Sequence, residues 1–412
     1  MALARRNHFV PQWYQRRFLT AAGDRFYYLD LKPDTVVSPG GTSYQRRALL
    51  RWGPQRCFYT DDLYTLKLGR WGSDIVERQF FGPLDARGER AVPFFIDYAI
   101  NNDTEKNLHA LMNHMSAQRL RTPRGLDFLR RLTNVNDHNL VLTVMRSLFQ
   151  LHGTMWMEGV WEVVRARQSP TKFIISDEPV TFYNSRVFPA SPSLVYPMDA
   201  DLAEVGTRTI YPLGSDACLI ISHLEFLRGP NRNPRRHRTN ARSFQPAMFD
   251  MRSIQTGREL EEDEVRRINY VIKQRATRRI AAAEEEWLHP EQLLSTTHWS
   301  KLDHDWFLFP NLYCVQFSGT FVVGYKGGGS WVVDEYGRTP RHPDFENKGQ
   351  HDREWNSWKE AQLEWAIKRE SKSRGRDHDR WGDASEAIMM DALERHRAER
   401  AKKGKRGSRS RE

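Results

Sequence analysis

Residues 172–179 read Lys-Phe-Ile-Ile-Ser-Asp-Glu-Pro. The run Lys172–Ser176 predicts a short buried strand, and Asp177-Glu178-Pro179 must turn directly after it. A second run of this kind, Leu219-Ile-Ile-Ser222, stands downstream. Strands this brief, set among longer stretches of helical period, predict an α+β fold. It is expected to be mostly helical, with short strands grouped near a polar site and a C-terminal β-hairpin.

Upstream, Thr104 caps a helix with Glu105 in its first turn, and Leu108, Leu111, Met112 and Met115 recur at helical spacing. Gln118, Arg119 and Thr122 continue that face until Pro123 ends it. Helical pattern also covers Asp61–Phe81, Asp127–Leu132 and Asn139–Arg165. Arg25–Leu31 has strand character, and residues 32–56, rich in Pro, Gly and Ser, read as loop.

Downstream, Glu259–Trp287 predicts a helix with acidic first turns and an apolar stripe from Val265 to Trp287. Thr320–Tyr325 and Ser330–Asp334, joined by Lys326-Gly-Gly-Gly329, predict a hairpin. Trp355, Trp358 and Trp365 share a helical face, and Asp383 with Glu386 forms a capping box. The expected organisation is a core domain over 1–287, a small β-rich extension over 288–345, a charged helical segment over 346–394 and a disordered basic tail over 395–412.

The 412 residues carry a net charge of +11. Residues 395–412 hold +7 of it and residues 228–242 hold +6, which leaves −2 for the rest. The body is therefore near neutral. The expected nucleic-acid contacts are confined to Arg232, Arg235, Arg236 and Arg238 of the loop and Lys402, Lys403, Lys405 and Arg406 of the tail. No run of about 20 apolar residues exists, so no membrane span is expected. The N-terminal charge has no apolar run after it, which is unlike a secretory signal. The three separated cysteines, Cys57, Cys218 and Cys314, fit a reducing cytoplasm better than a disulfide framework.

Three segments carry candidate chemistry. In Asn7-His8-Phe-Val-Pro11-Gln12, a helix opened by Pro11 puts Gln12 and Arg16 on one face, with His8 near its start. In Gln118-Arg119-Leu-Arg121-Thr-Pro123, Arg119 falls on an apolar face, and a buried guanidinium needs a partner. Asp177 and Glu77 are the candidate partners. In Ser176-Asp177, an acid directly after a strand suits a functional carboxylate, and equally a turn-forming one. Each segment also has a plain structural reading as a cap, an internal salt bridge or a turn. The patterns GxxxxGK[ST], GxGxxG and HExxH are absent, so no nucleotide cofactor is indicated. His298, His304, Asp303 and Asp305 lack a further segment at metal-ligand spacing.

These motifs resemble the family called domain of unknown function 4238. Its opening motif is similar to NHFVPQWYQRRF here, with Gln15 where leucine is usual. Its middle motif resembles QRLRTP at 118–123, and its third resembles FIISDEPV at 173–180, with Glu178 where many relatives carry Asn or His. The likeness spans about residues 7–285. It implies no activity, but it groups His8, Gln12, Gln118, Arg121 and Asp177 into one shared site.

Two function classes follow. One is a hydrolase or transferase acting on a phosphate-containing or nucleic-acid substrate. There His8, Gln12 and Asp177 are catalytic, and Asn7, Gln118, Arg119 and Arg121 bind the substrate. Asp177 would orient His8 or hold a divalent metal. The other class is a non-catalytic binding or regulatory protein with a structural polar core and a basic tail that touches nucleic acid.

Overall fold

The computed structural model describes residues 5–229, less 21 and 22; 232–303, less 245, 246 and 248; and 320–372, less 325 and 326. The fold is mixed α+β. Its largest sheet has five strands, in the order Thr181–Tyr183, Arg208–Gly214, Ala217–His223, Gly159–Arg165 and Gln255–Glu259. All pairings are antiparallel except the last, which is parallel. A four-stranded sheet runs Ile175–Ser176, Arg279–Ala282, Phe26–Asp30 and Leu49–Trp52. The helices Gly82–Ile96, Thr104–Leu120, Pro123–Thr133 and His138–Ser147 pack beside them. Side chains of both sheets and these helices form one continuous apolar core. Among the described residues no helix is long and apolar enough to cross a membrane.

Several local expectations change in the folded chain. Gly159–Arg165, expected as the end of a helix, is an interior strand. Val160, Trp161, Val163 and Val164 are all buried, so the alternation that marks a strand is missing from the sequence. Asp61–Phe81, expected as helix, contains the hairpin Leu66–Leu68 with Trp71–Ser73, turning at Gly69 with φ of +60°. It ends in a π-helical segment, Val76–Phe81. Residues 32–56, expected as loop, hold the short strands Thr35–Val37, Ser43–Gln45 and Leu49–Trp52.

The helix expected over Glu259–Trp287 stops at Arg275, having started at Glu262 behind a capping box formed by Glu261 and Glu264. A tertiary contact ends it. The Asp177 carboxylate accepts the N–H groups of Thr277, Arg278 and Arg279 at 2.8–2.9 Å. A continuing helix would need those donors for its own carbonyls. The freed chain then extends as the strand Arg279–Ala282.

Further along, Thr320–Gly324 pairs antiparallel with Ser330–Asp334. The helix Lys348–Lys372 follows, and Trp355 and Trp358 stack with ring centroids 5.5 Å apart. Trp358 joins Val160, Leu224, Leu227 and Tyr336 in a second, small apolar cluster. Cys57 and Cys218 are buried free thiols. The side chain of Trp365 and residues Cys314, Asp383, Glu386 and 395–412 lie outside the described residues.

Candidate functional site

The polar residues of the motifs collect in two networks on either side of one helix end. The first begins at Asn7, in the short strand Arg6–His8 that pairs with Tyr59–Asp61. Asn7 is buried; its amide oxygen accepts the Tyr64 N–H at 3.2 Å and its amide nitrogen donates to Glu77 at 3.4 Å. Tyr64 donates its hydroxyl to the Arg121 carbonyl at 2.6 Å. The buried Arg121 guanidinium donates to Asp85 at 3.0 Å. Gln118, with its amide oxygen turned inward, accepts from Arg121 Nε at 3.0 Å.

His114, one turn before Gln118, lies 3.6 Å from Asp85. That is beyond hydrogen-bond length, so the link is electrostatic. Gly88 of the Gly82–Ile96 helix makes this approach possible: a Cβ there would stand 2.6 Å from His114 Cγ. Asp85 Oδ1, both His114 ring nitrogens and Trp13 Nε1 are buried without a hydrogen-bond partner among the described residues.

The carboxyls of this network differ sharply. Burial and the nearby Asp85 charge push Glu77 up to about 7, against the pull of Arg121. Burial also opposes ionisation of Asp85, but Arg121 and His114 outweigh it and hold the carboxyl below its ordinary value. Burial lowers the proton affinity of His114 despite Asp85. Glu77 is half-buried and Asp85 is 20% exposed, whereas Arg121 and His114 sit sealed behind them.

The second network is closed. Arg119 lies 3.1 Å from Asp199 and 3.9 Å from Glu178, with its guanidinium 4.6 Å over the Phe182 ring. Arg275 also pairs with Asp199. Arg124 donates to the carbonyls of Pro197, Met198 and Arg275. Glu178 accepts from Thr122 at 3.1 Å, and burial raises its carboxyl well above the ordinary value. The side chains of Arg119, Asp199 and Arg275, and the residues Asp177 and Glu178, are all less than a tenth exposed.

The sequence-derived grouping therefore divides. Asn7, Gln118 and Arg121 share one network, while Arg119 and Asp177 belong to the other. The structure does not bring His8 to Asp177. His8 lies 3.3 Å from the Gln55 carbonyl with its ring against Tyr59, and burial lowers its proton affinity. Gln12 accepts from Arg16 at 3.3 Å, as their shared face implied. The partner of Arg119 is Asp199, with Glu178 behind it, and neither Asp177 nor Glu77. A divalent ion at Asp177 would face three N–H donors, the wrong surroundings for a cation. Among the described residues no group of three His, Cys, Asp or Glu is placed to hold a metal.

The arginine loop makes several ion pairs with the body. Arg235 pairs with Glu204, Arg236 with Glu225, and Arg232 lies 3.8 Å from Glu354. Arg238 is buried and donates to the Met155 carbonyl. Arg228 and Arg242 pair with Glu335 and Glu158. These ion pairs tie the loop to acids of the body. Lys402, Lys403, Lys405 and Arg406 of the tail lie outside the described residues.

Sequence reading passed over Asp85 and His114. Asp85 looks like an ordinary acid in a helix first turn. His114 did carry a signal: with Gln118 and Arg121 it falls at positions i, i+4 and i+7 of one helix face.

A family model described as "Protein of unknown function (DUF4238)" matches residues 6–286. No curated protein and no solved structure matches the chain.

Proposed function

The chain belongs to the DUF4238 family, and from the paired carboxyls around Arg121 we propose that it is a hydrolase or transferase with Glu77 as its general acid. One observation carries this reading: two carboxyls that both feel the charge of Arg121 are pushed apart in proton affinity, Glu77 up to about 7 and Asp85 down. Such a split assigns acid and base roles within one site. Glu77 holds a proton near neutral pH and can give it to a leaving group. Asp85 stays ionised and can take the proton of an attacking water or hydroxyl. Asn7 aims Glu77, Gln118 holds Arg121, and His114 steadies Asp85. The π-helical segment that presents Glu77 supports the reading, because such segments are frequent at functional sites.

The substrate differs from the sequence-derived expectation. Arg119 and Arg121, the candidate anion binders, already hold Asp199 and Asp85. Two carboxyls near one guanidinium already held by Asp85 favour an uncharged or cationic polar substrate over a phosphate-containing one.

The test is turnover of a panel of uncharged and cationic esters, amides and glycosides, beside carbon-13 NMR titration of Glu77. Activity should fall as pH rises through about 7, and Glu77→Gln should abolish that limb. A panel without turnover, together with a Glu77 that titrates as an ordinary carboxylate, would overturn the reading.

The non-catalytic reading keeps one specific support. Asp177 spends its carboxylate on three backbone N–H groups and Arg119 spends its charge on a sealed acid pair, which are structural uses.

A further inference from the structure

The strand Arg6–His8 has two faces. Asn7 turns inward to Glu77, whereas Arg6 and His8 stand outward, opposite Asp61 and Tyr59 of the paired strand. This outward face belongs to a third concentration of positive charge, besides the loop and the tail. Residues 5–56 hold ten Lys/Arg against Asp24, Asp30 and Asp34, a net of +7. The near-neutral body is therefore an average over a basic N-terminal part and an acidic remainder.

Acids hold part of this charge, since Arg5 pairs with Asp62 and Arg25 with Asp24. Arg6, Arg16 and Arg56 are exposed, and none of them pairs with a carboxylate among the described residues. The turn Pro54–Arg56 gathers them. His8 meets that turn at the Gln55 carbonyl, 3.3 Å away. The helix Gln12–Arg16 packs against the same turn, and Gln15 fixes it there by donating to the Cys57 carbonyl at 3.2 Å.

Tyr59 puts an aromatic ring among these cations. The Arg6 guanidinium lies 4.5 Å over it, and the His8 ring stands 5.7 Å from it. Asp61, opposite Arg6, is the acid of this ribbon face. Exposed guanidiniums interleaved with π faces match a single-stranded nucleic acid: the cations follow its phosphates and the rings take its unstacked bases. A duplex keeps its base faces covered, and a bare polyphosphate would engage the cations alone.

We propose that this face binds single-stranded nucleic acid, with Arg6, Arg16 and Arg56 on the phosphates and a base on the Tyr59–His8 pair. The surface is separate from Glu77 and Asp85 and does not depend on the catalytic reading. It gives the outward residues of the opening motif, His8 above all, a role that the inward Asn7 does not share.

Fluorescence anisotropy of the full chain with a short labelled oligothymidylate tests it, beside the duplex of that strand with oligoadenylate and inorganic polyphosphate as competitor. The single strand should bind more tightly than the duplex. Replacing Arg6, Arg16 and Arg56 together by Gln should weaken it by about tenfold or more and flatten the logarithmic salt slope by about 2. Arg131→Gln, an exposed arginine elsewhere that leaves the loop and tail unchanged, should have no effect. Tyr59→Leu should weaken the oligothymidylate by about fivefold or more and the polyphosphate less. A triple variant with the affinity and salt slope of the wild type overturns the proposal, as does a Tyr59→Leu variant that affects both ligands equally or neither. If the variants fail to fold, photo-crosslinking of an iododeoxyuridine strand to the wild type still decides. Crosslinks should fall in peptides that hold His8 or Tyr59, and crosslinks confined to 228–242 and 395–412 overturn the proposal.

Discussion

Arg119 and Arg121 leave the same helix end toward opposite partners: Arg119 lies 3.1 Å from Asp199, and Arg121 lies 3.0 Å from Asp85. Two helical positions turn the chain by about 200°, so neighbours in sequence serve different interiors. One interior is closed and ties the Asp177 turn to the helices. The other ends in two carboxyls that reach solvent.

Arg119→Met keeps much of the side-chain volume but leaves Glu178 and Asp199 short of a cation. Breaking a buried pair from one side costs about 3–5 kcal/mol. Denaturant unfolding should show a loss of that order with an unchanged m-value. A variant as stable as the wild type would mean that Arg275 alone satisfies Asp199.

Asp177→Asn preserves shape and removes charge. One of its two oxygens becomes an N–H donor that faces backbone donors at 2.8–2.9 Å. A loss of about 1–3 kcal/mol is expected, together with faster amide exchange at Thr277, Arg278 and Arg279. Unaltered exchange there would refute the anchoring role.

Glu77→Gln should change stability in a pH-dependent way. Glu77 titrates near 7 in the folded protein against an ordinary 4.5. Below 4.5 both states carry the proton and the carboxyl contributes nothing. As pH rises toward 7 the unfolded chain ionises first, so the wild type loses stability, and above 7 the full penalty is present. The variant should therefore gain about 1–2 kcal/mol on the wild type between pH 4 and pH 8, allowing for partial exposure. Parallel stability profiles for the two proteins would show that Glu77 is not perturbed.

Gly88→Ala sets two effects against each other. Alanine gains about 1 kcal/mol of helix propensity. Its methyl would stand 2.6 Å from His114 Cγ and 2.7 Å from Nδ1, and overpacking of this kind costs about 1–3 kcal/mol. Net destabilisation is expected, with displaced His114 NMR resonances. A more stable variant would show that His114 has room to move and that its place beside Asp85 is not enforced.

The sequence by itself determined what depends on local period and local caps. The helix Thr104–Leu120 shows its buried face through Leu108, Leu111, Met112 and Met115, and that face does continue to a buried Gln118 and Arg119. The strand Phe26–Asp30 was legible from its aromatic run, and the family from three ordered motifs. The site was legible only as residue types. Which acid meets which arginine depends on distances across chain separations such as the 36 residues between Asp85 and Arg121. Only the tertiary structure could send Arg119 to Asp199, pair Arg235 and Arg236 with Glu204 and Glu225, and put His114 beside Asp85. It also decided two elements against their local pattern. Gly159–Arg165 is a strand because neighbours cover both of its faces and both of its edges, and the helix from Glu262 stops at Arg275 because a carboxylate from another segment takes the next three N–H groups. Periodicity reports which residues are buried. The choice of partner is made by through-space electrostatics and hydrogen bonding, which exist only once the chain has folded.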